Sequence, residues 1–329
     1  MATLYGNTNS TLGYWDEAFY KAYQAGYSQI LQENNDAYAG LTLTDSIQGE
    51  FKAYDFVGTV DLTKKDTRFE DLPRTDVAHN KRWIYPEWYR KRIFIDTEDN
   101  IALMADPTSS YITAIGAGVI RVKNDVIHNA FFGSVRGGTN PAASSSAGDD
   151  TQTFYDAVFS AAAQGGRTIV HDAQKDFSVG GTSSGLTIEK LILAREAMIA
   201  LHNNPNEKFN IACNQRQISD LLRSAETQSI DTAVIRSLQA GTVTEYMGFK
   251  FVIDYNITLE TNGDIDADTD IYSCPVWSKS GIVYAQNLAP VFKMDWHVDK
   301  AVNQLSCRCG MNAIRLDEDK VLKIECAAV

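Results

Sequence analysis

Two short patterns in this sequence contain residue types that can carry out chemistry. His171 and Asp172 are neighbours and could form a general base with its orienting carboxylate, but no nucleophile motif such as G-x-S-x-G accompanies them. Cys307 and Cys309 are one residue apart on a predicted strand, so both thiols face one side and offer two of the roughly four ligands that zinc needs. With only the distant His297 to add, we interpret the cysteines as two small buried apolar residues. The sequence therefore indicates neither a catalytic site nor a metal site, and we expect that the chain is not an enzyme.

An acidic run between Asp264 and Asp270 resembles the first half of a calcium-binding loop. Aspartates alternate through this run, but Thr269 stands where the turn glycine is required, and Pro275 occupies the position of the bidentate glutamate. We therefore expect a solvated acidic loop without a bound cation.

Gly116 and Gly118 resemble the start of a dinucleotide-binding fingerprint. Arg121 replaces the third glycine, and no acidic residue follows about 20 positions later, where the ribose would be held. Because the glycines also fall within a helical period, we expect no nicotinamide cofactor. We predict instead that they let another backbone approach the helix closely, at a cost of about 1 kcal/mol each relative to alanine.

The composition is that of an ordinary globular protein with an acidic surface. The chain has 329 residues, of which 44% are hydrophobic, and its net charge is −12. Such a protein does not hold nucleic acid through a general phosphate-neutralising surface. The five cysteines lack a disulfide-framework spacing, and the sequence has neither a secretory signal nor an apolar run of 18 residues. We therefore expect folding in a reducing cytoplasm and no membrane partner.

The elements that position these residues are organised around a long amphipathic helix predicted from Asp106 to Gly133. Asp106 suits the N-cap, Pro107 the first helical position and Gly133 the residue after the last turn. Apolar residues recur at alternating steps of three and four, at Ile112, Ile115, Val119, Val122, Val126 and Ala130. Ile127 and Phe131 widen the stripe. A helix of about 26 residues, roughly 39 Å long, needs a broad partner surface.

Residues 50–95 are predicted to form an extended two-stranded arm. Strands are expected near Phe51–Val60 and at Arg92–Asp96, and a highly charged stretch with interleaved tryptophans and tyrosines joins them. The stretch is too long for a tight turn and too polar for a core, and such an arm is only marginally stable alone in water. Because aromatic residues and arginines are typical interface anchors, we expect the arm to lie against a neighbouring subunit.

The candidate interface residues come from this arm and from a helix predicted over Tyr14–Gln32, after a polar start at residues 1–13. That helix repeats aromatic residues every four positions and forms either an arm or an ordinary first core helix. The candidates are Lys64, Arg68, Arg82, Trp83, Trp88, Tyr89, Arg90, Arg92, Trp15 and Phe19. A basic and aromatic composition also suits stacking on nucleic acid, but the interspersed acids and the net charge argue against it.

The loop-like composition of Gly133–Gln152 predicts a domain boundary. After it, a compact α/β domain is expected, with helices over Thr187–His202, Arg216–Arg223 and Asp231–Gln239 and strands over Phe209–Cys213 and Met247–Asp254. From Ser278 we predict antiparallel strands that return to the long helix and close the first domain. Their ranges are Gly281–Ala285, Ala301–Arg308, Met311–Leu316 and Lys320–Cys326.

Short motifs follow one another in a specific order along residues 50–329. The arm and long helix contain Gly58-x-Val60-Asp61, Arg68, Asp71-Leu72-Pro73, Asp76, His79, Arg82, Ile95-Asp96, Asp106-Pro107, Tyr111 and Asp125. The later part contains Gly185–Leu191, Ala194-Arg195, Leu221-Leu222, Asp231, Leu238–Gly241 and Gly248–Phe251. In these motifs and in their order the chain resembles the major capsid protein of tailed bacteriophages, which has the Hong Kong 97-type fold.

The resemblance implies an α+β fold of the Hong Kong 97-like phage capsid type. Its parts would be an N-terminal arm, an extended β-hairpin loop, a peripheral domain with a long spine helix, an α/β axial domain, and returning strands of the peripheral domain. In this sequence their respective ranges are 1–49, 50–95, 96–133, 134–277 and 278–329.

The implied function is self-assembly into hexamers and pentamers of an icosahedral shell that encloses double-stranded DNA without binding it specifically. The protein would be part of the virion and would assemble in the bacterial host cytoplasm, with a portal protein as a further partner. Only about 50 residues precede the loop, too few for a large fused scaffolding segment, so we expect a separate scaffolding protein. The alternatives are another phage structural protein, such as a decoration or tube subunit, and a nicotinamide-linked enzyme.

Overall fold

The computed structural model describes most of the chain between residues 35 and 327. The described ranges are 35–58, 79–96, 108–137, 150–152, 166–170, 184–202, 206–223, 245–261 and 270–327, with residues 60, 62, 64, 66, 74, 76, 77 and 154. These residues belong to two compact units. The first unit contains residues of 88–122 and 288–310, and the second contains residues of 36–87, 123–287 and 311–327.

The described elements form an α+β fold with mixed sheets. The α-helices are α1 (Thr108–Phe132), α2 (Ile188–His202) and α3 (Gln215–Arg223). The strands are β1 (Leu43–Ser46), β2 (Lys52–Val57), β3 (His79–Ile84), β4 (Glu87–Ile95), β5 (Val135–Gly137), β6 (Asp150–Gln152), β7 (Thr168–Ile169), β8 (Phe209–Cys213), β9 (Glu245–Tyr246), β10 (Phe249–Ile253), β11 (Leu259–Thr261), β12 (Asp270–Ser278), β13 (Ile282–His297), β14 (Val302–Arg315) and β15 (Val321–Ala327). The coarse class expected from the sequence is therefore confirmed.

The long helix α1 confirms the predicted element, and Gly133 follows its last residue. The Gly133 N–H donates to the carbonyl of Asn129 at 2.9 Å, and a Cβ at Gly133 would lie 2.5 Å from that oxygen. Ile127 and Phe131 are fully buried. The predicted apolar stripe is wrong at the start of α1, where the Ile112 side chain is 39% exposed. The described residues of this chain leave the first turns of the helix partly uncovered.

The two glycines of α1 differ from their prediction. A Cβ at Gly116 would meet nothing within 4 Å, and one at Gly118 would meet only the Arg121 guanidinium at 3.6 Å. No described backbone therefore approaches the helix at these positions. Both glycines lie inside a helix, whereas a dinucleotide fingerprint requires a turn between a strand and a helix, so that interpretation is excluded.

The predicted arm is a hairpin of β2 and β3. These strands pair antiparallel from Lys52 opposite Ile84 to Val57 opposite His79, in a sheet of order β2-β3-β5-β6. The returning strand therefore precedes the predicted one at Arg92–Asp96. The charged residues of β3 hide its strand pattern, because one of its two buried positions is Arg82 and the other is Ile84.

Strand β4 belongs to a different sheet, of order β1-β13-β14-β4. β13 and β14 are long, and β14 runs through Gly310, joining two strands that the sequence analysis had separated. In the first unit, Leu305 and Cys307 of β14 pack with Ile115 of α1 in a small apolar cluster. This part of β14 is thereby buried against α1.

The second unit is built on a mixed seven-stranded sheet. Its order is β7-β15-β12-β8-β10-β9, and β11 also pairs with β12. β8 and β10 are parallel, whereas β12 is antiparallel to both β8 and β15. The last strand, β15, thus completes the α/β block and does not return to the first domain as predicted. Within the described residues, helices α2 and α3 and strands β8 and β10 confirm the elements predicted for this block.

Helix α2 covers the core side of this sheet. Thr187 caps it, because its hydroxyl accepts a hydrogen bond from the Lys190 N–H at 3.3 Å. The buried Lys190 ammonium donates to the carbonyls of Ser184, Gly185 and Glu325 at 2.7–3.0 Å. This lysine fastens the segment before α2 to β15.

Several predictions lie outside the described residues. They are the helices over Tyr14–Gln32 and Asp231–Gln239, the His171-Asp172 pair, and most of the acidic run Asp264–Asp270. Asp106 and Pro107, at the predicted start of α1, also lie outside them.

Candidate subunit interface

The hairpin of β2 and β3 carries apolar side chains that its own chain does not bury. Leu62 is 97% exposed, Val57 66% and Val60 52%. Exposed apolar side chains grouped in one segment are typical of a contact with another molecule.

Two ion pairs among the described residues beyond the strands join near neighbours in sequence. Lys64 Nζ lies 4.0 Å from an Asp66 carboxylate oxygen, and Arg74 is 3.6 Å from Asp76. These side chains are all at least three-quarters exposed, so the pairs contribute little to folding. The Lys64 and Arg74 side chains are therefore accessible to a partner.

The base of the hairpin is fixed to its own unit by Asp45 of β1. Its carboxylate accepts hydrogen bonds from the Lys52 ammonium at 2.5 Å and from the Tyr54 hydroxyl at 2.8 Å. The hydrogen bond from Lys52 is the main cause that lowers the pKa of Asp45, while burial raises the pKa of Tyr54. These hydrogen bonds hold the first residues of β2 against β1.

Arg82 was predicted at the subunit interface, but its guanidinium is used inside the chain. It is only 7% exposed and donates to the Arg315 carbonyl at 2.6 Å and to the Glu318 carboxylate at 3.0 Å. Burial lowers the pKa of Arg82, and the charge of Glu318 opposes that shift. We therefore remove Arg82 from the set of interface candidates.

The same network reaches the end of the long helix. Arg315 is fully buried and donates to the carbonyls of Phe131 at 2.6 Å and Gly133 at 3.1 Å, and its Nε donates to Glu318 at 2.7 Å. It thus supplies a charged cap to α1. Arg315 is not among the residues predicted from the sequence, although an arginine at the end of an apolar strand, three positions before a glutamate, is a local signal for such a pair.

Trp83 is half-buried against its own chain. Its ring meets Phe51 edge-on, with the ring centroids 5.3 Å apart. The neighbouring Tyr85 accepts a hydrogen bond at its carbonyl from the Asn312 side chain at 2.6 Å, and the Arg136 guanidinium lies over its ring. Together these contacts stiffen the turn between β3 and β4.

β4 places the remaining described candidates at a sheet edge. The indole of Trp88 covers Gly310, where an added Cβ would lie 3.1 Å from the ring, yet Trp88 is 61% exposed. Arg90 and Arg92 are exposed, and Tyr89 is half-buried. By strand alternation Trp88, Arg90 and Arg92 share one face. Arg68, Trp15 and Phe19 lie outside the described residues.

Residues of β4, β13 and β14 line a groove of about 580 Å³ within the first unit. The charged residues that line it are Arg90, Lys91, Arg92, Lys293, Arg308 and Asp295. The arginines of β4 are among the predicted interface residues, whereas Lys293 and Arg308 are not, because single cations on alternating strands give no local signal. Strand pairing alone brings them together.

The described residues contain no arrangement suited to metal binding or thiol chemistry. No group of three potential ligands lies close enough to hold a metal ion among them. Cys307 and Cys309 are buried, and burial raises the pKa of both thiols. A hydrogen bond with Cys213 is the main cause that raises the pKa of Cys274, so these groups stay protonated.

A buried cluster of polar side chains in the second unit has a structural role. The Asp254 carboxylate accepts a hydrogen bond from the Tyr38 hydroxyl and lies 2.7 Å from His128 Nδ1. Tyr38 also packs on Phe131 and Trp277, with ring centroids 5.7 and 5.6 Å away. The cluster ties the segment before β1 to α1 and to the end of β10. Within the part of the chain that the structure describes, no helix is long and apolar enough to cross a membrane.

Comparisons with known proteins give a consistent result. A family model described as phage capsid protein matches residues 16–328. The structure is similar to the capsid of cyanophage P-SCSP1u, at 14% identity and a TM-score of 0.62, covering 93% of this chain and 92% of that chain. The cyanophage Pam1 capsid is similar at 12% identity and a TM-score of 0.66, with 93% of this chain and 95% of that chain covered. The capsid of Ralstonia phage GP4 is similar at 8% identity and a TM-score of 0.63, with 100% of this chain and 99% of that chain covered. No curated protein matches the chain.

Proposed function

The chain belongs to the phage capsid protein family, and from that premise we propose that it is the major capsid subunit, which assembles as hexamers and pentamers into an icosahedral shell around double-stranded DNA. The match over residues 16–328 carries this proposal. The exposed hairpin supports it, because Val57, Val60 and Leu62 find no burial in their own chain.

Each element has a proposed part in the shell. α1 is the spine helix of a peripheral domain that also includes β4 and the outer parts of β13 and β14. The block of α2, α3 and the seven-stranded sheet is the axial domain around the local symmetry axis. We place β15 in this axial domain because it pairs with β12.

The hairpin is the proposed extended loop, and it lies over a neighbouring subunit. Its contacts would use Lys64 and Arg68 near the tip, while Trp88, Tyr89, Arg90 and Arg92 form a second contact surface. Trp15 and Phe19 belong to a proposed N-terminal arm. Trp83 contributes by stiffening the hairpin base through its contact with Phe51.

Further partners follow from shell assembly. We propose a separate scaffolding protein and a portal protein as partners, and assembly in the bacterial host cytoplasm. The net charge of −12 suits a wall that encloses DNA without adhering to it. The protein would act as a structural component and catalyse no reaction.

Electron microscopy of the purified full chain tests the proposal. Expressed with and without its neighbouring phage genes, the protein should give closed shells or ring-shaped capsomers. Helical tubes or a layer bound only to another protein's shell would favour a tube or decoration subunit. A strictly monomeric product under all these conditions would contradict assembly.

A further inference from the structure

The groove lined by β4, β13 and β14 concentrates positive charge on an acidic protein. Five of the charged side chains that line it are cationic, and Asp295 is the single carboxylate. Like charges at this density repel one another unless a partner brings the opposite charge.

These cations have no ionic partner among the residues that the structure describes. No carboxylate among the described residues lies within 4 Å of Arg90, Arg92, Lys293 or Arg308, and all four side chains are exposed. Arg92 only lies near the Phe94 ring, at 5.8 Å. The charges are therefore available at the surface and desolvated little.

The charge of the rest of the sequence is opposite in sign to that of the groove. The described part of the first unit contains seven lysine or arginine residues and three aspartates. The remaining 23 of 30 basic and 39 of 42 acidic residues lie elsewhere in the sequence. The rest of a second copy thus carries more acidic than basic residues, and opposite charges favour association.

Aromatic side chains flank the cations on β4. Trp88, Arg90, Arg92 and Phe94 alternate along the strand and so share its outer face. Tryptophan and arginine are the residue types most enriched at energetically important protein contacts. Nucleic acid fits less well, because Asp295 lies in the groove and the net charge of −12 repels phosphates.

We infer that this cationic groove is the docking surface for a carboxylate-rich surface of a second copy of this chain. The inference rests on the proposed function, since it names the surface that receives a neighbouring subunit. Lys293 and Arg308 thereby join Arg90 and Arg92 in one contact.

Charge reversal provides the first test. The double variant Arg90→Glu with Arg92→Glu should lower the assembled fraction at least about tenfold at low salt, measured by light scattering and sedimentation. The control, Lys208→Glu with Lys279→Glu, changes the net charge equally on exposed positions of the second unit and should assemble like the natural chain. Assembly of the natural chain should itself weaken as salt rises.

Each failure has a distinct signature. If the natural chain and the control assemble and the Arg90/Arg92 variant does so equally well, the inference is wrong while the proposed function stands. If that variant assembles normally but loses binding to a DNA duplex, the occupant is nucleic acid and the inference is also overturned. If no form assembles, the proposed function falls and takes the inference with it.

Zero-length cross-linking tests the partner directly. A carbodiimide joins an amine to a carboxylate in contact, and particles assembled from mixed ¹⁴N- and ¹⁵N-labelled chains distinguish links between copies. Lys293 should yield mixed-isotope peptides with aspartate or glutamate. Links confined to a single isotope would contradict docking of a second copy.

Discussion

Arg315 is the residue on which three parts of the second unit converge. Its guanidinium joins the carbonyls at the end of α1 to Glu318, which also accepts a hydrogen bond from Arg82 of the hairpin. Arg315→Met keeps most of the apolar stem. It leaves the Phe131 and Gly133 carbonyls and one oxygen of the Glu318 carboxylate without this donor. We expect a loss of about 3 kcal/mol or more in the free energy of unfolding, measured by urea denaturation of the unassembled chain.

Arg195 provides the matched control for that substitution. It is exposed and donates one hydrogen bond, to the Met247 carbonyl at 3.1 Å. Arg195→Met should therefore cost less than about 1 kcal/mol. Equal losses in the two variants would show that burial of Arg315 is not what makes it important.

Asp45 gives a pH dependence whose direction can be derived. Its folded pKa lies below the ordinary value of 3.8, chiefly because of the hydrogen bond from Lys52. The carboxylate therefore stabilises the fold above the unfolded pKa, and this contribution is lost as pH falls through the folded pKa. Asp45→Asn should cost up to about 1 kcal/mol at pH 7, since both groups are partly exposed.

Denaturation at two pH values checks this. The difference between Asp45→Asn and the natural chain should shrink between pH 7 and pH 3. A difference that stays constant over that range would mean that the hydrogen bonds matter independently of charge.

At the scale of elements, the glycines of α1 allow a paired test of helix packing. Gly116 has open space around it, so Gly116→Ala should raise the free energy of unfolding by about 1 kcal/mol through helix propensity. Gly133→Ala should lower it, because the added methyl group would meet the Asn129 carbonyl at 2.5 Å. Thermal unfolding of the unassembled chain measures both changes.

Assembly of the Gly116→Ala variant adds a second outcome. If it is stabilised and assembles normally, the glycine has no packing role. If it is stabilised but fails to assemble, a neighbouring subunit approaches the helix there, which would restore in the shell the close approach that the single chain lacks.

The elements that sequence periodicity predicted well are those that bury one face locally. α1 and α2 repeat their apolar residues over many turns, so helix period and caps defined them. β3 was not predicted because Arg82 occupies one of its buried positions, and only Glu318, far away in sequence, makes that burial favourable. β15 was assigned to the first domain because a strand's own sequence does not specify which strand pairs with it.

The same limit applied to the groove. Arg90 and Arg92 were identifiable as a local basic run, but Lys293 and Arg308 become its neighbours only through the pairing of β4, β13 and β14. Local sequence describes which residue types are present, and sheet topology determines which of them meet.

At the scale of the whole molecule, the chain separates what stabilises folding from what remains for assembly. Its buried ionic groups, such as Arg82 and Arg315, lie in the second unit and act within the chain. Its unpaired cations and the apolar hairpin residues stay at the surface. Substitutions of the first kind should change stability, and those of the second kind should change association.

Leu62 tests that separation most directly. Its side chain is 97% exposed, so Leu62→Asp removes no contact within the subunit and should leave the melting temperature of the unassembled chain within about 1 °C. If the hairpin is buried on a neighbour, the aspartate must be desolvated there, and assembly should fall by about tenfold or more. Leu62→Met keeps an apolar side chain of similar size and should assemble normally. Normal shells from Leu62→Asp would place the hairpin tip in solvent, whereas a lowered melting temperature would mean that Leu62 is buried within its own chain.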